Sequence, residues 1–176
     1  MSLRTTIILL ALLVPLAAGC GDDSDHLRVR GVANVELADG TRTGFDFPDA
    51  TRLVDDSGAV GPDIMAGHCI IEQGAAGSGA RLHIGVGRPN ASDLGLRSLE
   101  VTIDEPGRPA TGQVRAKVGE AEYVGVSGAE CTIEEAYLLM DDRIGGALVD
   151  CTVVASGATE TAHAIADLHF AGCELQ

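Results

Sequence analysis

The sequence contains no tryptophan, two tyrosines and three phenylalanines among 176 residues, so alanine, valine, isoleucine and leucine must fill any core it builds. Burial per residue is then modest, and a domain of this size gains from covalent staples. Positive charge is also scarce: 12 lysines and arginines face 26 aspartates and glutamates, a formal charge of −14. That balance argues against nucleic-acid recognition, which uses a basic surface to displace phosphate counterions. Apolar residues still make up 45% of the chain, too many for wholesale disorder. At this length the expectation is one domain, with or without a tail, because domains typically run to about 100–150 residues.

Catalytic signatures are missing as well. The chain has no G-x-S-x-G nucleophile elbow, no H-E-x-x-H, no P-loop and no dinucleotide glycine fingerprint. Gly85-Val86-Gly87 is too short to cradle a phosphate. His68 and Cys69 are sequence neighbours, so on a strand they point to opposite faces and make a poor nucleophile–base pair. No cofactor is expected.

What is present begins with an address. Arg4 gives a short positive start, Ile7 to Val14 form an apolar run that Pro15 interrupts, and small residues lead to Cys20. The run is too short to span about 30 Å of hydrocarbon as a permanent helix, so 1–19 reads as a signal peptide. Leu16-Ala17-Ala18-Gly19-Cys20 resembles the lipobox of bacterial lipoproteins, with Ala17 where that class usually has leucine and Leu16 one position earlier. The resemblance implies cleavage after Gly19 and lipidation of Cys20. Two or more acyl chains make a stable anchor where one is marginal. Loss of Arg4 with the leader takes the formal charge to −15, so the membrane contact expected is the lipid on Cys20 and not a basic patch. Residues 20–26, acidic and polar, read as a tether that lacks the spacing of an EF-hand. Gly21 follows the cysteine where an inner-membrane retention aspartate would stand, so the expected location is the outer membrane or cell surface.

From residue 27 to 176 the dominant period is two, as expected for a single β domain. Ala33, Val35 and Leu37 alternate with Asn34 and Glu36, and Asp39-Gly40 turns the chain into a partner run ending at Pro48. Residues 49–62 read as a loop with one helical turn near 50–54. Further strands are expected around Ile64 to Ile71, Leu82 to Val86, Leu99 to Ile103, Val114 to Ala116, Ala121 to Tyr123, Val149 to Val153 and Ala164 to Phe170. Residues 131–140 carry a capping box at Thr132 and Glu135 but are short, and strand is preferred to helix there. Nine or ten short strands with glycine-rich turns give an all-β fold, an antiparallel β-sandwich or else a small β-barrel. There is no room for the crossover helices of a parallel sheet.

With Cys20 lipidated, Cys69, Cys131, Cys151 and Cys173 remain, and four cysteines in an exported chain imply two disulfides with three possible pairings. Cys131 and Cys151 bracket an expected hairpin and Cys173 follows the last strand, which favours Cys131–Cys151 and Cys69–Cys173. Zinc is the rival, but no C-x-x-C pair is present. The early Cys69 and late Cys173 also resemble the pattern of small β-sandwich lipoproteins of GC-rich bacteria, including the mycobacterial 19-kDa antigen type. Cys131 and Cys151 have no counterpart there.

The candidate polar clusters are few. His163, Asp167 and His169 share the outward face of the last long strand, and a metal site there would need a partner such as His83 or His68 from a neighbouring strand. Asp141-Asp142 with Glu134 and Glu135 could offer oxygens to calcium, although a solvated acidic loop explains them equally well. The reading is a lipid-anchored, non-catalytic binding or structural module of the cell envelope that meets a protein or glycan. A carrier of lipids or small apolar ligands and a hydrolase of envelope polymers are the alternatives.

Overall fold

The computed structural model describes residues 26–55, 61–74, 79–91, 94–128 and 130–176. The expected leader, Cys20 and all of the tether but His26 lie outside them.

The described chain is all-β. Its strands are β1 (Arg28–Leu37), β2 (Arg42–Arg52), β3 (Ala66–Glu72), β4 (Arg81–Gly87), β5 (Leu96–Glu105), β6 (Thr111–Val118), β7 (Ala121–Val126), β8 (Cys131–Leu139), β9 (Ile144–Ala155), β10 (Thr161–Ala171) and β11 (Glu174–Leu175). They form one sheet in the order β11-β3-β4-β5-β6-β7-β9-β10-β1-β2, with β8 also paired to β9. The sheet curls until β1 and β2 face β5, and β4 faces β9. The expected sandwich is thus one continuous sheet folded over itself. Its pairings are antiparallel except at the seam, where β11 runs parallel to β3 and Val54 makes a parallel bridge to Ala66. Those two contacts cover the outer edge of β3, an edge that would otherwise offer unpaired backbone groups to other chains.

Period-two sequences produce these strands because successive side chains leave opposite faces. In β10, Ala162, Ala164, Ala166, Leu168 and Phe170 are buried, while Asp167 and His169 between them are exposed. The stretch 131–140 is strand, as preferred: β8 pairs with β9 on one side, and Ile133 and Ala136 bridge to Ala110 and Gly107 on the other. Residues 48–52 depart from expectation. Pro48 does not end the strand, and there is no helical turn, because β2 continues to Arg52. Pairing shifts between Val29↔Thr51 and Gly31↔Phe47, so Pro48, Asp49 and Ala50 bulge opposite Arg30. Since β2 is the last strand of the sheet, proline's missing N–H interrupts no further ladder. Gly31, at φ 124°, supplies the backbone turn that the bulge needs.

Small side chains set the interior. Ala33, Ala164, Ala166 and Ala147 are buried among Leu82, Ile84, Val101, Ile103, Val149 and Phe170. The layers meet closely at Gly145, where an added Cβ would lie 2.8 Å from Leu82 Cδ1. Both disulfides form. Cys69–Cys173 ties β3 to the segment after β10, Cys131–Cys151 joins directly paired positions of β8 and β9, and all four cysteines are buried. Arg143 reinforces the first staple, accepting the Cys173 N–H at 2.9 Å and donating its Nε–H to the Cys173 carbonyl at 2.7 Å.

Candidate functional site

Tyr123 apart, no polar or charged side chain is fully buried among the described residues, so any chemistry lies on the outer faces of the curled sheet. The most enclosed of the described cavities, about 170 Å³, is a trough across β3 to β6. Register builds it. His68 pairs with Gly85 and Gly85 with Glu100, while Ala66, Gly87, Ser98 and Lys117 line up across the four strands. Ile84 and Val86 fill the core from the inner face of β4, so alternation puts Gly85 and Gly87 on the outer face. Two glycines in succession there leave bare backbone as the trough floor.

Neither glycine can take a side chain without movement. A Cβ at Gly85 would sit 2.5 Å from the His68 ring, and one at Gly87 would sit 2.5 Å from the Arg97 carbonyl oxygen. A register shift between Leu96 and Ser98 adds one residue to β5 opposite β6. Arg97 and Ser98 are therefore consecutive residues that both line the trough. The Arg97 guanidinium reaches Glu120 at 3.0 Å through Nη1, while its Nε–H is shielded from solvent and has no hydrogen-bond partner.

Lys117, the single lysine of the chain, has no ion pair or hydrogen bond among the described residues. His68, Ser98 and Glu100 are likewise without polar partners. His68 also lines a more open groove of about 570 Å³ at the seam, together with His26, Arg52, Asp55, Arg143 and Glu174.

The metal candidates are not brought together. Asp167 and His169 are neighbours on β10, with the carboxylate 2.9 Å from His169 Nε2. His83 lies on β4, paired with Ile70 and Thr102 and 3.4 Å from Glu72, on the other side of β5, β6, β7 and β9. The order of strands therefore removes the proposed donor, and no group of three metal-binding side chains occurs among the described residues. Asp141, Asp142, Glu134 and Glu135 form no oxygen cage either, and Glu135 is paired with Arg108. The second ring nitrogen of His169 instead meets a group that the sequence did not single out: Nδ1 is 2.6 Å from the Tyr137 hydroxyl. Burial first, then the charges of Asp167 and Glu135, raise the Tyr137 pKa, so the phenol keeps its proton. The protonated Tyr137 hydroxyl can donate to Nδ1 of a His169 tautomer that presents Nε2–H to Asp167, which closes the array. His163 is similarly engaged, 2.6 Å from Asp150.

No protein-family model, curated protein or solved structure matches this chain.

Proposed function

We propose that the protein is an exported, lipid-anchored, non-catalytic binding module of the bacterial cell envelope, with the β3–β6 trough as its ligand cavity. The observation that carries this reading is the contrast in polar saturation. The other described histidines of the sheet face carboxylates, whereas His68, Ser98, Glu100 and Lys117 surround a cavity without partners of their own. Unpartnered polar groups converging on one concave site are the usual mark of a ligand position. Two buried disulfides support export, since such bonds persist in oxidising compartments. The lipobox-like Leu16 to Cys20 supports the anchor. His26 lies six residues beyond Cys20, and six residues reach at most about 20 Å. The seam groove beside the trough would then lie near the membrane. Gly21 favours the outer membrane or cell surface.

The alternatives draw less support. A carrier of apolar ligands needs an enclosed apolar cavity of about 300–1,000 Å³, yet the described cavities are open surface clefts whose linings mix polar and apolar groups. A hydrolase needs a general acid or nucleophile poised in a cleft, and the carboxylate–histidine pairs lie on exposed strand faces.

Native mass spectrometry tests the proposal on the full chain, made in an oxidising compartment and never reduced. Two disulfides lower the mass by about 4 Da, and lipidation adds a diacylglycerol that Cys20→Ser abolishes. A chain that retains residues 1–19 and carries no lipid overturns the anchor. A ligand adduct that Gly85→Ala removes supports the binding role.

A further inference from the structure

We infer that the trough binds a small oxyanion, a phosphate or carboxylate group, held by Lys117, Arg97 and Ser98. The inference rests on reading the trough as the ligand cavity and names the class of ligand.

Charge makes the first argument. Carboxylates outnumber cations by 26 to 12 over the chain, so a basic side chain finds an acidic partner easily. Arg81, Arg97, Arg108 and Arg115 each have one. Arg30, Arg42 and Arg52 are solvent-exposed. Lys117 is half-buried and faces a cavity. An ammonium partly withdrawn from water without a counter-charge is an unfavourable arrangement in the empty protein, and an incoming anion relieves it.

Donor geometry makes the second. The trough offers the Lys117 ammonium, the Arg97 guanidinium and the Ser98 hydroxyl from adjoining positions of β5 and β6. Hydrogen bonds from such cations to anionic oxygens are among the stronger kinds. Among the described residues Glu100 is the single carboxylate lining the trough, and it sits one row away from Lys117, in register with Gly85 and Arg115. It excludes a highly charged anion and favours a ligand carrying its own hydrogen-bond donor, such as a hydroxyl. Size makes the third argument, because about 170 Å³ admits a small molecule and not a polymer.

The single lysine supplies the probe. Reductive methylation of the full chain with ¹³C-formaldehyde labels Lys117 and the α-amine alone and preserves the lysine charge. Inorganic phosphate, succinate and glycerol phosphate are titrated separately at constant ionic strength, with chloride as the reference. The expected result is a saturable shift of the dimethyl-lysine signal with at least one oxyanion. In unlabelled protein, the same anion moves the Gly85 and Gly87 amides. Lys117→Gln weakens that binding about tenfold or more, Ser98→Ala weakens it less, and Arg115→Gln on the same strand leaves it unchanged. Glycerol phosphate binding more tightly than phosphate assigns the anion to a lipid headgroup, and the reverse order assigns it to a free solute. Shifts that stay linear, match those of chloride or survive Lys117→Gln overturn the inference. If the oxyanions fail while a neutral adduct occupies the trough, the binding-module reading survives without the anion. If neither binds, both fall.

Discussion

Two rings in this molecule lie across a glycine of the neighbouring strand, and they end differently. Tyr137 on β8 covers Gly146 on β9 and reaches over it to His169 on β10, where Asp167 completes the chain of hydrogen bonds. His68 on β3 covers Gly85 on β4, and its imidazole meets no polar partner beyond it. The packing device is the same, a flat side chain laid on exposed backbone. In the first case the hydroxyl, both ring nitrogens and one carboxylate oxygen are answered from within the protein, so the array is a structural clamp. In the second the ring walls a cavity in which Ser98, Glu100 and Lys117 are also unanswered. Saturation of polar groups, more than the type of residue, separates a piece of scaffold from a candidate site. The histidine-rich face of β10 attracts attention in the sequence and belongs to the scaffold.

Each region also has its own staple. Cys69 adjoins His68, and Cys131–Cys151 joins the two strands that hold Tyr137 and Gly146. Removing both cysteines of one bridge separates the regions by the largest effect expected. The Cys69–Cys173 bridge spans 104 residues, and the chain-entropy estimate gives about 4–5 kcal/mol for its loss. Cys131–Cys151 spans 20 residues, and the same estimate gives about 3 kcal/mol. Non-reducing urea unfolding of the paired alanine variants measures both values. Equal losses would show that native-state packing, and not loop closure, sets the contribution of these bridges.

The glycines give the next largest contrast. At Gly146 an added Cβ would lie 2.7 Å from the Tyr137 ring and 2.7 Å from the Leu168 carbonyl oxygen, which belongs to the backbone of β10. At Gly85 the three nearest atoms all belong to the His68 ring, the free end of a side chain. Gly146→Ala is therefore expected to cost about 2–3 kcal/mol, and Gly85→Ala less than about 1 kcal/mol as His68 swings aside. The same unfolding measurement reads both. A Gly85→Ala loss as large as that of Gly146→Ala would mean that His68 is locked in place and that the trough is as rigid as the clamp.

Much of this fold is legible in the sequence because burial follows period two. The alternation in β10 marks inside and outside residue by residue, and the hairpin around Cys131 and Cys151 follows from the same pattern. Register is what the pattern omits. Gly145-Gly146 reads simply as the opening of a strand, yet Gly145 admits Leu82 from the opposite layer while Gly146 admits Tyr137 on the outer face. Gly85-Val86-Gly87 looks negligible for phosphate until the neighbouring strands bring Ser98 and Lys117 alongside. A glycine at alternate positions on the outward face of a strand was the available signal. Tyr137 escaped notice for a related reason: it lies 32 residues from His169, and the two meet only once 131–140 is a strand paired across β9. Pro48 shows the opposite error, since a residue that ends an interior strand is tolerated at the sheet's edge.

The smallest effect expected comes from the phenols, which lie outside the trough. Tyr123 on β7 is 2% exposed and donates to Glu160 at 3.2 Å, and its pKa is raised by burial first and then by that carboxylate. Tyr137 is raised for the reasons given above. Below about pH 10 both tyrosines hold their protons in the folded and the unfolded chain, so neither contributes a pH dependence. Above that value the unfolded chain releases them while the folded chain retains them. The unfolded state then binds fewer protons, and stability falls as pH rises until the folded pKa values are passed. The slope is at most about 1.4 kcal/mol per pH unit for each tyrosine. Tyr123→Phe and Tyr137→Phe should each flatten the alkaline limb, and the double variant should flatten it further than either. The check is urea unfolding at pH values from 9 upward. An alkaline limb unchanged by both substitutions would place the titrating groups elsewhere and remove the distinction between a saturated clamp and an open trough at high pH.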